Sequence, residues 1–451
     1  MIAFVFLVMR PAQEYAIATG MEDPSRAAWQ AGLVACFACG LIELMAAVVA
    51  EPIRRVTPRV AMIATLGGIG LSLLGIGFLL ESFSHPIVGI VTLGIMFVLY
   101  FGRVRFGRGM PGIALAVIVG TALCWIIKIA PVGEDPLSSV GLALPKPVIG
   151  DLWAGFSGRQ LLASLSIILP MGLLSGLASL QNIESAEAAG DSYPVRPAMT
   201  TNGLGTIAAA CFGSAFPMSI YIGHPGWKAV GARAGYSTLN GLFVTVLCLT
   251  GTASLAAWFI PVDAGLAVII WIGLIISMQA FEVSEKKHYS AIVVCMLPVF
   301  GAWAAMLIKG ALRAVGYGTP DGPAFSPALL ETLERERIFA EGAFAFEQGF
   351  LYASLIWGAI TFFIVEREFL KAAAWSLFAS TITLLGLMHA WKFTSSDTVI
   401  NLPLLDLAIG QFSFQGWASV FPAWPYAVGY GLLSLLLLAS HKWAVPDSSH
   451  T

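Results

Sequence analysis

The chain has 451 residues, of which 58% are hydrophobic and only 11% are charged, and its mean hydropathy is +0.83. A soluble protein carries about 25% charged residues, so the composition excludes an ordinary soluble domain. The net charge of −2 says nothing about partners, and the sequence has no basic face that would indicate nucleic-acid binding. Repeated apolar runs long enough to cross lipid predict an all-α polytopic membrane protein whose surroundings are the bilayer of the cell membrane.

Candidate membrane spans follow one another along the chain. They cover residues 27–50, 60–80, 86–101, 110–130, 161–184, 197–213, 236–260, 263–281, 289–312, 347–365, 370–391 and 423–441. The region 214–235 interrupts this series with two prolines, several glycines, a histidine and two cations. We therefore expect a separate, broken element there.

The distribution of Lys and Arg orients the spans, because cytoplasmic loops carry an excess of both. Arginine clusters in 51–59 and 102–109 predict cytoplasmic loops, whereas the cation-poor 131–159 predicts an extracytoplasmic one. The alternation continues along the chain only if 214–235 counts as one more crossing. That count places the insertion 313–346 outside, where the stretch LLETLERERIFAEGAFAF predicts a surface helix.

The broken region has the composition of a binding site. Pro217 and Pro225 flank its centre, while Gly223 and Gly226 permit unusual backbone angles or the close approach of a ligand. A helix that starts near Pro225 or Gly226 would direct free N–H groups and the positive end of its dipole inward, toward a carbonyl or an anion. Irregular backbone within a membrane is tolerated only where it is buried in protein or lines a cavity. A plain re-entrant loop or kink is the alternative.

Three acidic residues share one helix face at the end of the fifth span. Glu184 and Glu187 are three residues apart, Asp191 is four further on, and Gln181 lies just before them. A carboxylate at membrane depth is costly and normally faces a cavity where it has a function. This favours a functional Glu184 and a solvated Asp191, and it leaves Glu187 open between the two interpretations.

Other polar residues lie within the apolar spans. Glu43 is either a proton-linked residue or a hydrogen-bond partner between helices, and Lys309 is expected to extend its ammonium to the lipid headgroups. Cys36 and Cys39 form a C-x-x-C pair in mid-span, which favours packing over a metal or redox site. No metalloprotease or nucleotide-binding motif occurs. We therefore expect no enzyme activity, cofactor or metal, and any active transport would use an ion gradient.

Residues 202–243, NGLGTIAAACFGSAFPMSIYIGHPGWKAVGARAGYSTLNGLF, resemble the nucleobase–ascorbate transporter superfamily. The likeness is to its xanthine/uracil permease-like members, and most of all to the adenine/guanine/hypoxanthine permease branch. That branch has a Gly-x-Gly-Thr…Phe-Gly-Thr/Ser helix, then a Thr/Ser-x-Tyr-Ile-Glu-Ser break, then Gly-Gly-Arg-Thr-Gly. The matching residues are Gly203, Gly205, Thr206, Phe212, Gly213, Ser214, Tyr221, Ile222, Gly231, Arg233 and Gly235.

The resemblance implies a fold of 14 segments in two inverted repeats of seven, arranged as a core and a gate domain. In this division, residues 1–130 are the remainder of the first repeat, from the end of segment 3 to segment 7, and residues 131–160 are an extracytoplasmic linker. Residues 161–365 are the second repeat, with the broken segment 214–235 and the insertion 313–346. Residues 366–451 are an extra C-terminal hairpin and tail. Segments 1 and 2 and the first half of segment 3 would be missing, because Met1–Met9 resembles the tail of segment 3.

The site that the resemblance implies combines the eighth segment with the break. Its substrate contacts would be Glu184 or, in an alternative register, Gln181, together with Gly223, His224, Gly226 and, near the pocket, Tyr221. The sequence departs from the family after Tyr221-Ile222, where Gly223-His224 stands in place of the acid.

These features together predict a proton-coupled permease, a symporter in the inner membrane for a purine-like nucleobase or a similar small planar heterocycle. Glu184 would accept N–H bonds from the base, and Glu184, Glu187 or His224 would carry the coupling proton. One alternative is an anion transporter of the sulfate type on the same fold, which the lost acid and the added histidine favour. Another is a non-transporting membrane scaffold or regulator. A small molecule is the expected partner, and a second copy in a homodimer is a further candidate.

Overall fold

The computed structural model describes residues 8–104, 111–131, 136–156, 159–319, 322–394, 397–403 and 422–443. Regular structure in these residues is helical apart from an antiparallel ribbon in which β1 (Trp391–Phe393) pairs with β2 (Thr398–Ile400). The helices are α1 (Arg10–Ala18), α2 (Pro24–Val56), α3 (Arg59–Ile69), α4 (Gly77–Ser82), α5 (Pro86–Met96), α6 (Gly112–Ile126), α7 (Ile149–Gly155), α8 (Arg159–Ala188), α9 (Val195–Cys211), α10 (His224–Ala229), α11 (Gly235–Leu249), α12 (Ala253–Phe259), α13 (Leu266–Glu282), α14 (Tyr289–Ala314), α15 (Pro327–Arg335), α16 (Ala340–Glu347), α17 (Phe350–Val365), α18 (Phe369–Leu384) and α19 (Trp424–Trp443). The π-helical stretches Gly70–Ile76 and Phe97–Phe101 follow α3 and α5 directly.

Several of these helices are suited to a membrane. In the described part of the chain, Pro24–Val56, Arg59–Ser82 and Lys286–Ala314 are long and apolar enough to cross one. Two sharply bent helix pairs raise this number to five if each pair counts as one span. The chain is therefore an all-α protein with several apolar helices that indicate membrane association. The tail from residue 444 and most of the stretch 392–422, between the last two candidate spans, lie outside the described residues.

The candidate span 236–260 is not a single continuous helix. These residues form α11 and α12, which meet at an angle of 103°. Gly251 lies between them with a φ of +65°, a left-handed conformation that ends helices and that glycine adopts without strain. The surface helix predicted within 313–346 is likewise two helices, α15 and α16, and α16 meets α17 at 89°.

Helix α2 crosses α9 at two glycines. A Cβ on Gly40 would lie 3.0 Å from the carbonyl oxygen of Gly203, and a Cβ on Gly203 would lie 3.1 Å from that of Gly40. Small residues at such a crossing let two helix backbones approach closely. Helix α8 also packs against α2, where Gly172 faces Ile42. The three helices therefore form one packed group next to the broken region.

The sequence predicts that Lys309 extends its ammonium to the lipid headgroups, and this prediction is wrong. Its side chain is 4% exposed, and its ammonium contacts Glu347 and, at 2.9 Å, Asp397. Arg313, one turn further along α14, also contacts Asp397. A charge can be buried when opposite charges face it. The ion pairs of Lys309 and Arg313 with Glu347 and Asp397 join α14 to the end of α16 and to the residue before β2.

Candidate functional site

The structure has the broken element that the sequence predicts between α9 and α11. Residues 214–221 contain no helix, and α10 is a short helix after them. Pro225 lies in the first turn of α10, where its missing N–H needs no partner. Gly231, with a φ of +89°, ends the element before α11 begins.

The half-helix that was expected to hold a carbonyl or an anion is too short for that role. Helix α10 has six residues, which is less than two turns, so few peptide dipoles add up along it. Its two glycines have packing roles. A Cβ on Gly223 would clash with the ring of Tyr221, and a Cβ on Gly226 would lie 3.2 Å from Ile272 of α13. This geometry explains both glycines without a ligand.

Tyr221 and His224 are hydrogen-bonded to protein groups. The Tyr221 hydroxyl accepts from the indole N–H of Trp227 at 2.9 Å, and the side chain is half exposed. Nδ1 of His224 lies 3.1 Å from the hydroxyl of Tyr236, and Nε2 lies 2.9 Å from Oδ2 of Asp191. Both ring nitrogens of His224 therefore have partners.

Asp191, expected to be merely solvated, belongs to an ion pair. Its carboxylate lies 2.8 Å from the ammonium of Lys228 and also contacts His224. The hydrogen bond from Lys228, and then the one from His224, lowers the pKa of Asp191 because both favour the ionised carboxylate. These contacts tie the loop after α8 to α10.

We expect Asp191→Asn to lower the melting temperature slightly at neutral pH and to have less effect in acid. The native pKa of Asp191 is below its unfolded value, so the interaction stabilises the fold above the unfolded pKa of about 4 and is lost as pH falls through the native pKa. Melting curves of both proteins in detergent, from neutral pH to about pH 3, measure this difference. A difference that stays constant over that range would contradict the expectation.

Glu184 and Glu187 face two arginines. Nε of Arg54 contacts the Glu184 carboxylate, and Nη2 of Arg54 lies 2.5 Å from Oε2 of Glu187. Nε of Arg59 lies 3.3 Å from the second oxygen of Glu184, whose side chain is 2% exposed. The structure thus corrects the expectation of a free Glu184 carboxylate facing a cavity, because both of its oxygens already contact guanidinium groups.

The sequence contains a feature that indicates this ion-pair cluster, although the assignment of spans and loops does not take it into account. Arg54 and Arg59 stand in a loop predicted to be cytoplasmic, but α2 continues to Val56 and places Arg54 on the helix beside α8. The two acids stand at a span end predicted to lie on the same side of the membrane. Opposite charges at neighbouring span ends are therefore the feature that indicates the pairing.

Polar side chains without partners lie on the elements that meet at the break. Gln181 is fully buried, and neither its amide nitrogen nor its amide oxygen has a hydrogen-bond partner among the described residues. Asn182 donates to the carbonyl of Ile220 at 2.6 Å, but its Oδ1 has no partner in the described chain. The buried indole N–H of Trp271 also has no hydrogen-bond partner among the described residues.

The positions of these groups follow from helix geometry. Gln181 is one turn before Ser185, whose hydroxyl donates to Oε1 of Gln279 at 2.6 Å, so this face of α8 is turned toward α13. On α13, Trp271 lies against α10, where a Cβ on Gly226 would be 3.7 Å from its ring. Buried polar groups are nearly always hydrogen-bonded. Unpartnered groups on these neighbouring elements therefore indicate a place where water or a ligand binds.

The candidate site is thus the junction of α8, the extended residues 214–221 and α13. Of the residues predicted from the sequence, Gln181 and Tyr221 belong to this junction. Tyr221, Glu184, Glu187 and His224 have protein partners. Asn182 and Trp271 are the members that the sequence-based site does not include. No protein-family model and no curated protein matches the chain.

Proposed function

We propose that the protein is a multi-pass secondary active transporter that binds a neutral, planar, nucleobase-like heterocycle at the junction of α8, the break and α13. The buried, unpartnered amide of Gln181 is the observation that carries this proposal. The resemblance of 202–243 to nucleobase permeases supports the same substrate class.

The edge of a nucleobase complements the unpartnered groups at this junction. A carboxamide offers an N–H donor and a C=O acceptor side by side, and base edges present donors and acceptors in one plane. Gln181 can therefore make two hydrogen bonds to one edge. Oδ1 of Asn182 can accept from a further N–H, and the indole of Trp271 can donate to a ring nitrogen or a carbonyl.

The charges near the junction favour a neutral ligand over an anion. Lys228 is paired with Asp191, and Arg54 is paired with Glu184 and Glu187. An anion would have to compete with these carboxylates for its cation, whereas a neutral base would not. This reasoning places the sulfate-type alternative second.

Transport is the function that suits a broken element between apolar helices. Substrate sites of secondary transporters lie at discontinuous helices, whose free backbone groups face a cavity. The sequence contains no nucleotide-binding motif that would supply energy from ATP. An ion gradient, with the proton as coupling ion, is therefore the proposed driving force.

We expect Gln181→Leu to weaken substrate binding by about 10–100-fold, because a ligand group left facing leucine loses a hydrogen bond worth about 1–3 kcal/mol. The melting temperature of the free protein should not fall, since the amide has no partner to lose among the residues that the structure describes. Equilibrium binding of labelled purines and pyrimidines to purified protein, and their uptake into liposomes under a proton gradient, measure the first effect. Thermal denaturation measures the second.

Gln279→Leu is the matched control. Gln279 is also buried, but it accepts from the Ser185 hydroxyl and donates to the Ser185 carbonyl at 2.9 Å. We expect this variant to lose stability instead. Equal losses of stability in the two variants, with unchanged binding, would remove Gln181 from the site. If wild-type protein binds no base but responds to sulfate or chloride, the anion transporter is correct, and binding of no small molecule favours the scaffold.

A further inference from the structure

Glu43 is a buried carboxylate that the proposed binding site does not use. It lies in the middle of α2, and its side chain is 1% exposed. The Ser179 hydroxyl donates to Oε1 at 2.6 Å, and Nδ2 of Asn202 lies 2.9 and 2.8 Å from the two carboxylate oxygens. The crossing of α2 and α9 at Gly40 and Gly203 explains the contact between Glu43 and Asn202, because Gly40 lies one turn before Glu43 and Gly203 lies next to Asn202.

All the hydrogen-bond partners of Glu43 in the described chain are neutral. Helix α8 presents Ser179, α9 presents Asn202, and the broken region presents the Met218 carbonyl, which Asn202 contacts at 3.4 Å. The nearest titratable group on α2 is the Cys39 thiol, one turn away. None of the ion pairs found among the described residues includes Glu43.

The charged groups on the neighbouring helices are engaged elsewhere or lie further along. On α8, Glu184 and Glu187 are more than one turn beyond Ser179 and face Arg54. On α9, the charged residue is Arg196, more than one turn before Asn202. Among the described residues, Glu43 therefore has no cation to balance a negative charge, unlike Glu184.

The cluster can hold Glu43 in either protonation state without moving its heavy atoms. Neutral hydrogen bonds offset only part of the cost of burying a charged carboxylate. A hydroxyl can rotate, so Ser179 donates to the carboxylate and accepts from the carboxylic acid. After protonation its own hydrogen can turn to the carbonyl four residues earlier, a bond that helix serines commonly make. Nδ2 of Asn202 continues to donate to the other oxygen.

We propose that Glu43 is a proton-binding site of this protein and that it couples proton movement to the candidate binding site. The coupling part rests on the proposed transport function. It gives the role of proton carrier to Glu43 rather than to Glu184, Glu187 or His224.

The link to the binding site runs through the extended residues of the break. Asn202 contacts both Glu43 and the carbonyl of Met218, and Asn182 of the candidate site holds the carbonyl of Ile220, two residues further on. Hydrogen bonds to a charged acceptor are about twice as strong as neutral ones. Loss of the Glu43 charge therefore weakens the hydrogen bonds that Asn202 donates to the carboxyl group. The contact of Asn202 with the Met218 carbonyl then changes in relative strength, two residues before the Ile220 carbonyl that accepts from Asn182.

Infrared spectroscopy of the purified full-length protein tests the proton site without any substrate. The C=O stretch of a protonated carboxyl group should decrease as pH is raised in wild type, and this component should be absent in Glu43→Gln. Ser179→Ala should shift the frequency, since it removes one hydrogen bond to the carboxyl. Glu51→Gln, at the half-exposed end of the same helix, is the control and should retain the component. An identical titrating band in Glu43→Gln would overturn the proposal.

Liposome transport tests the coupling. Glu43→Gln should exchange labelled base across the membrane at the wild-type rate. The increase in uptake rate that an imposed proton gradient causes should be at least tenfold smaller in this variant than in wild type. Glu184→Gln should keep that acceleration. If Glu43→Gln stays gradient-driven, the coupling role is wrong although the transport function stands. If wild type moves no base while the infrared band is lost in Glu43→Gln, the transport function and the coupling fail together and the proton site stands.

Discussion

Replacing Lys309 by methionine is expected to lower the free energy of unfolding by about 3–5 kcal/mol, the usual effect of removing one partner from a buried ion pair. The variant leaves Glu347 without its ammonium contact, whereas Asp397 keeps its contact with Arg313 and the hydrogen bond from the Thr398 N–H. Lys309 is 4% exposed, so its charge is shielded from water and stabilised by the carboxylates that it contacts. Thermal or denaturant unfolding in detergent measures the loss.

Two further variants make this prediction specific. Lys371 forms an exposed pair with Glu368 on the surface of α18 at 2.8 Å, so Lys371→Met should cost about 0–1 kcal/mol. The double variant Lys309→Met/Glu347→Leu should recover part of the lost stability, since it removes the carboxylate that the single variant leaves unpaired. Similar losses for Lys309→Met and Lys371→Met would contradict a buried charge cluster.

Arg54→Ala is expected to destabilise the fold by about 3 kcal/mol, the low end of the range for a buried pair. One guanidinium bonds Glu184 through Nε and Glu187 through Nη2, and Arg59 is the cation found near these carboxylates among the described residues when it is removed. Arg54→Lys should restore only part of the stability, because an ammonium cannot reproduce the fork of a guanidinium. Unfolding midpoints of the purified variants measure both effects.

The neighbouring arginine is the matched control for Arg54. Arg55 is 77% exposed and pairs with the exposed Glu51 at 3.4 Å, so Arg55→Ala should change the free energy of unfolding by less than about 1 kcal/mol. The pair of variants also tests the role of Glu184. If Arg54→Ala left stability intact and altered only substrate binding, Glu184 would be a ligand residue after all.

Local features of the break could be predicted from the sequence. The prolines and glycines of 214–235 act on the backbone within a few residues, so their presence alone indicates where helix cannot continue. The same reasoning fails for 236–260, because Gly251 is one glycine in an apolar run and glycine is common in membrane helices. Its positive φ is a property of the folded chain that the pattern does not show.

Partners that are distant in sequence could not be predicted. Arg54 meets Glu184 across 130 positions and Lys309 meets Glu347 across 38, and a span pattern does not show which helices pack together. Gln181 illustrates the same limit for the site. The sequence marks it as a polar residue in a span, but only the packing of α8 and α13 reveals that its amide has no partner in the described part of the chain.

The crossing of α2 and α9 at Gly40 and Gly203 restricts how the protein can change shape. Where each glycine would place a Cβ about 3 Å from the opposite carbonyl oxygen, the two helices cannot slide past each other without forcing larger residues into the gap. Shear between them is therefore blocked, and hinge motion must occur at the helix breaks. Glu43 and Asn202 would then travel together through every conformational state.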